Sequence, residues 1–103
     1  MLKVISLLQR NDDLSLDEFR HWALEEHPEL GKKLPGMRQY RMSVVLADDP
    51  DLPYHAVSEF WFDNDEARVA AFATPQGKAA AEDAAAHCSS RVHLLSEEKV
   101  IIG

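Results

Sequence analysis

Apolar residues are distributed along the chain in segments of two kinds. Leu2-Lys3-Val4-Ile5-Ser6-Leu7-Leu8-Gln9 is nearly continuous in apolar character. Such a run predicts a strand buried on both faces, not a strand with one wet side. A polar turn follows at Arg10-Asn11-Asp12-Asp13. Ser15-Leu16-Asp17-Glu18 then has the form of a capping box, with Ser15 as cap and Glu18 reaching back. It predicts a helix whose apolar stripe is Phe19, Trp22, Ala23, Leu30 and Leu34. Pro28 lacks a backbone donor and crowds the carbonyl of Leu24, which predicts a kink or stop near His27. Leu34-Pro35-Gly36 ends the segment.

The second half repeats the architecture without repeating the sequence. A strand is expected over roughly residues 38–47, then a loop at Asp48-Asp49-Pro50-Asp51-Leu52-Pro53. Aromatic and β-branched residues predict a third strand over 54–62. Asp63-Asn64-Asp65-Glu66 suggests a second capping box, with Asp63 as cap, before a short helix carrying Val69 and Phe72. Thr74-Pro75 restarts the helix and an alanine-rich run at 79–86 extends it. A fourth strand is expected over roughly 91–102, whole or in two pieces around Ser96-Glu97-Glu98.

The order β-α-β-β-α-β predicts an α+β chain of ferredoxin-like topology with a four-stranded antiparallel sheet. A length of 103 residues suits one domain. Both helices of such a fold cover the same face of the sheet. Val4 and Leu8 would occupy one face of the first strand, and Ile5 and Leu7 the other. In the third strand Val57 and Trp61 oppose Phe60 and Phe62. An uncovered face of this kind calls for a partner, and a second copy related by a twofold axis is the commonest one. The expectation is a homodimer.

Composition narrows the function. Apolar residues make up 46% and charged residues 28%, an ordinary globular balance. Eighteen acidic against eleven basic residues give a net charge of −7, the wrong sign for nucleic acid or an anionic membrane surface. A small-molecule ligand fits better. The lone cysteine, Cys88, has no internal partner, and no secretory leader precedes the first strand, so the cytoplasm is the expected location.

Three stretches together carry a family resemblance. They are Phe19-Arg20-His21-Trp22 through Glu26-His27-Pro28-Glu29-Leu30, then Leu34-Pro35-Gly36-Met37-Arg38-Gln39-Tyr40, then Glu59-Phe60-Trp61-Phe62-Asp63. In this order and spacing the chain resembles the EthD family of the dimeric α+β barrel superfamily. The resemblance implies a homodimer whose two sheets enclose a cavity. It also implies a role in the breakdown of ethers and aromatics or in polyketide-type pathways, commonly with an oxidoreductase label. A related branch, the methylmuconolactone methylisomerases, rearranges a small lactone without metal or organic cofactor. That branch has a histidine at the place of His27 and a tyrosine at the place of Tyr40. Its further histidine before the third strand has no counterpart here, where Asp51 stands nearest.

The candidate chemistry follows. His27 can exchange protons near neutral pH, or it can simply cap free carbonyls at a helix end. Tyr40 can donate to a substrate oxygen or be a satisfied core residue, although the alternate face of its strand, with Gln39, Arg41 and Ser43, is more polar and suits a cavity better. His55, Val57, Glu59 and Trp61 share one face by strand parity. Glu59 can act as acid or base there, and His55 can pair with it or bind substrate. Both can instead bond Arg38 or Arg41 across the dimer. Trp61 and Arg38 are the remaining candidate substrate contacts. Metal-binding spacings, phosphate loops and nucleophile elbows are absent, so no cofactor is expected. The leading expectation is a cofactor-free enzyme that isomerises, cyclises or eliminates by proton transfer on a small apolar oxygenated compound. A cofactor-independent monooxygenase is one alternative. A non-catalytic ligand-binding accessory of an oxygenase system is the other.

Overall fold

A computed structural model describes all residues, 1–103. The elements are β1 (Leu2–Arg10), α1 (Leu16–His21), a π-helical turn (Trp22–Glu26), α2 (His27–Gly31), β2 (Gln39–Val44), β3 (Ala56–Phe62), α3 (Asp65–Phe72), α4 (Pro75–His87) and β4 (Cys88–Glu97). The strands form one sheet in the order β2-β3-β1-β4, with every neighbouring pair antiparallel. This is the ferredoxin-like arrangement expected from the sequence.

The register sets the covered face in three cross-strand rows. They are Tyr40-Phe60-Val4-Leu95, Met42-Ser58-Ser6-His93 and Val44-Ala56-Leu8-Arg91. The outer rows are largely apolar, whereas the middle row carries two serines, Ser6 and Ser58, both buried. Phe19 of α1 and Phe62 of β3 are fully enclosed and anchor the helices to the sheet. Ala80 and Ala84 let α4 lie close over this face. Gly77 has a similar role between helices, since a Cβ there would strike the carbonyl oxygen of Ala71.

The other face has no helix over it. Ile5, Leu7, Val57 and Val92 are half-buried on it, and Leu94 is exposed. At one end of this face Lys3 bonds Glu59 at 2.7 Å and Glu98 at 2.8 Å. Lys3 and Arg41 also stand over the ring of Trp61, at 4.9 and 5.4 Å from its centroid. No helix is long and apolar enough to cross a membrane.

Several boundaries differ from expectation, each for a physical reason. β4 begins at Cys88 and stops at Glu97, because Glu97 pairs with Leu2 and β1 offers nothing beyond. Val100, Ile101 and Ile102 are therefore exposed and not a continuation of the strand. β2 is shorter than expected, ending at Val44 where its partner β3 begins at Ala56. Asn64, not Asp63, caps α3 by accepting from the amide of Ala67. Asp63 is occupied elsewhere, taking two bonds from the Arg38 guanidinium at 3.0 and 2.9 Å. The Ser15 capping box and the Thr74-Pro75 helix start form as expected.

Candidate active site

The site begins with the π turn. Pro28 cannot donate to Leu24, and its ring would strike that carbonyl in a regular α-helix. The helix neither stops nor simply kinks here. It takes in one extra residue, so that the amide of His27 donates to Trp22 five residues back, and helical geometry resumes in α2. In a regular α-helix Trp22 and His27 would be roughly 140° apart around the axis. The wider turn brings their rings to 4.8 Å and lets both reach α4. There Asp83 Oδ2 accepts from Trp22 Nε1 at 2.9 Å and from His27 Nδ1 at 2.8 Å. His87, one turn further along α4, stacks on Trp22 at 4.5 Å and bonds the Asp83 carbonyl oxygen through Nδ1 at 2.7 Å.

His27 is buried, and Asp83 fixes its orientation. With Nδ1–H given to the carboxylate, Nε2 keeps its lone pair and can accept a proton. His27 lines a cavity of about 330 Å³ between the sheet and the helices. That size is at the lower end for small-molecule sites. Most of the wall is apolar, built by Val4, Phe60, Leu34, Phe72 and the alanines of α4.

Tyr40 lines the same cavity from β2. Its hydroxyl is buried without a hydrogen-bond partner of good geometry. Burial pushes its pKa up to about 12, the Ser58 hydroxyl beside it offsets this in part, and the Asp83 charge adds to it. Tyr40 is therefore a proton-bearing donor at neutral pH. A buried, unmet donor facing a cavity is costly unless a ligand meets it. Gly31 makes the ring's position possible, since a Cβ there would stand 2.8 Å from Tyr40 Cε2.

The far side of the cavity, along β4, carries Arg91 and His93, with Arg68 of α3 alongside. His93 Nδ1 is bonded to the Ser6 hydroxyl at 2.7 Å. Burial, then the charges of Arg91 and Arg68, hold its pKa below the usual histidine value. Cys88 is buried, and its thiol is pushed up to about 11 by burial despite the opposing effect of Arg91. It stays protonated and is no nucleophile at neutral pH. No group of three or more His, Cys, Asp or Glu side chains is placed to hold a metal ion.

Of the residues singled out in the sequence, the cavity brings together His27 and Tyr40 only. The cavity lies within the single chain on the Tyr40 face, and not on the more polar Gln39–Arg41–Ser43 face that faces away from the helices. Glu59 and Trp61 are on that opposite face, tied to Lys3. Arg38 is exposed and bonds Asp63. His55 precedes β3, so strand parity does not reach it. Its ring is buried edge-on to Phe19 and its Nδ1 accepts from the amide of Arg10, so it does not share a face with Glu59. Asp83, Arg68, Arg91 and His93 were missed as site residues. Asp83 had one signal, a charge in the middle of an alanine run.

The EthD domain family model matches residues 11–88. The chain belongs to the EthD domain family. An EthD family protein from Bacillus halodurans C-125 superposes with a TM-score of 0.80 at 24% identity, over 96% of this chain and 99% of that one. A dimeric ferredoxin-like protein of unknown function from Thermobifida fusca YX gives 0.74 at 19% identity, over 92% and 88%. The hydroxynitrile lyase from Passiflora edulis gives 0.76 at 15% identity, over 99% and 96%. No curated protein matches the sequence.

Proposed function

We propose that the chain is a cofactor-free enzyme that moves a proton on a small, mostly apolar oxygenated compound, giving isomerisation, cyclisation or elimination. The observation that carries this reading is one cavity holding an Asp83-oriented His27 and an unpartnered Tyr40 hydroxyl. His27 Nε2 takes a proton from a carbon next to a carbonyl. The charge that develops on the carbonyl oxygen is met by the Tyr40 hydroxyl, which has only the Ser58 hydroxyl beside it. The proton then returns from the imidazolium to a different atom, or a leaving group departs. Apolar walls keep water away and strengthen both interactions.

The same reading includes a homodimer formed through the open face. The half-buried Ile5, Leu7, Val57 and Val92, with exposed Leu94, support it. The Thermobifida fusca protein of the same fold is described as dimeric. In that arrangement each protomer keeps its own cavity, because the sheet residues that line it are on the helix-covered face.

A test does not require the natural substrate. 5-Nitrobenzisoxazole opens to a coloured phenolate when a carbon-bound proton is removed, and it reports any positioned base in an apolar pocket. His27→Gln should lower its turnover by ~10²-fold or more while the elution volume on gel filtration stays unchanged. Equal rates for the two proteins would remove His27 from the chemistry.

A further inference from the structure

The chain carries eighteen acidic residues, yet none lines the cavity. The two charged residues that line it, Arg68 and Arg91, are both cationic. A net charge of −7 makes this local reversal of sign a property of the site and not of the protein as a whole.

The two guanidiniums differ in what holds them. Arg68 bonds Asp65 at 2.6 Å through Nε only, and that carboxylate is more than half exposed, which leaves both terminal nitrogens of Arg68 free. Arg91 pairs with no carboxylate at all. Its one bond is to the backbone carbonyl of Ala81, at 3.3 Å. His93 stands two residues on, so it shares a face of β4 with Arg91. The Ser6 hydroxyl can donate to Nδ1 of His93, and in that tautomer Nε2–H is a third donor. Three donors with no acceptor among them, two of them charged, make a place for an anion.

The position of this cluster adds a length. Tyr40 is on β2 and the cluster is on β4, the two edge strands of the sheet. Three strand spacings separate them, roughly 14 Å of backbone. The apolar wall of Val4 and Phe60 lies between. The cavity therefore has Tyr40 at one edge of the sheet and a cationic cluster at the other, with the apolar Val4 and Phe60 and the hydroxyls of Ser6 and Ser58 between them.

We propose that Arg91, Arg68 and His93 form an anion subsite, and that the compound bound here is a small apolar molecule carrying a carboxylate at the end remote from the oxygen that Tyr40 meets. This proposal rests on the reading of the cavity as the active site. A planar carboxylate suits the forked donors of a guanidinium, and the cavity volume limits the body attached to it.

The test compares affinities and not rates. Benzoate, methyl benzoate and inorganic phosphate are titrated by calorimetry into the wild-type protein and into Arg91→Gln, Arg91→Lys and Arg68→Gln. The wild type should bind benzoate about tenfold or more tighter than its ester. Arg91→Gln and Arg68→Gln should each reduce that ratio, and Arg91→Lys should keep part of it. The ratio is internal to each variant, so a partly destabilised one still reports. Equal affinity for acid and ester, no saturable binding of either, or a preference that survives both glutamine variants would overturn the subsite. Phosphate binding as tightly as benzoate would also overturn it, since that would mark a general anion site. If His27→Gln turns over the benzisoxazole normally while the wild type still prefers acid to ester, the proton-transfer reading fails and the carboxylate subsite stands. If the benzisoxazole needs His27 but acid and ester bind alike, the subsite fails alone.

Discussion

Both faces of the sheet carry polar groups, and they use them in opposite ways. On the open face, Lys3, Glu59, Glu98 and Arg41 satisfy one another or stand against Trp61. Their charges cancel locally, and nothing there is left wanting a ligand. On the covered face, Asp83 fixes His27, but the Tyr40 hydroxyl has no hydrogen-bond partner of good geometry, and Arg91 has the Ala81 carbonyl and no carboxylate. Unmet polar groups in an enclosed apolar space cost stability and are kept where a ligand can meet them. A glutamate in a strand is thus a weaker pointer to chemistry than a tyrosine whose hydroxyl has nowhere to go.

The sharpest way to break this contrast is Asp83. Asp83→Asn keeps the shape but offers an amide that can turn its NH2 toward His27, favouring the wrong tautomer. Turnover of the benzisoxazole should fall ~10²–10³-fold, with the fold retained by circular dichroism. A loss smaller than threefold would mean that His27 needs no orienting partner.

Alkaline unfolding separates the covered face by its own titrations. A raised folded-state pKa means the unfolded chain loses its proton first, so stability holds below the unfolded value and falls as pH climbs to the folded one. Cys88 moves from 9.0 to about 11 and Tyr40 from 10.0 to about 12, both mainly by burial. Stability against urea should be level up to about pH 9 and fall between 9 and 12, Tyr40 alone accounting for about 3 kcal/mol. Tyr40→Phe should remove the upper part of that fall. It should also raise stability by ~1 kcal/mol at pH 7, because a buried unmet donor is gone. A variant less stable than wild type at neutral pH would show that the hydroxyl is satisfied after all.

Gly31 tests how tightly the tyrosine is held. An added methyl group at Gly31→Ala would press on the ring from 2.8 Å. A shift of the ring should cost ~1–3 kcal/mol of stability and lower benzisoxazole turnover, with no loss of benzoate binding at the far pole. Unchanged stability would mean that the ring has room to move.

How much of this was legible in the sequence depends on the range of the interaction. Capping boxes, proline restarts and strand alternation act over a few residues, and they yielded the element order and the sheet. The π turn was half legible: Pro28 announced a disruption, but not that the helix would absorb it by one inserted residue. Asp83 is 56 residues from His27, and Arg91 and Arg68 meet only because β4 and α3 border the same cavity. Such contacts leave no periodic trace. The two site residues that sequence reading did bring into the cavity, His27 and Tyr40, came from the family resemblance, while parity favoured the opposite face.

Glu59 is the last and smallest test, and the one that separates the faces most cleanly. Its carboxylate shares Lys3 with Glu98, so Glu59→Gln leaves the lysine a partner. The ion pair is partly exposed, with Glu59 28% exposed, and such pairs contribute ~0–1 kcal/mol. Stability should therefore change by less than ~1 kcal/mol, more at low salt than at high salt. Turnover of the benzisoxazole should stay within twofold of wild type, because the sheet stands between this side chain and the cavity. A large loss of activity in Glu59→Gln would mean that the open face takes part in the reaction. The proposed division of labour between the faces, with chemistry on the helix side and association on the other, would then be wrong.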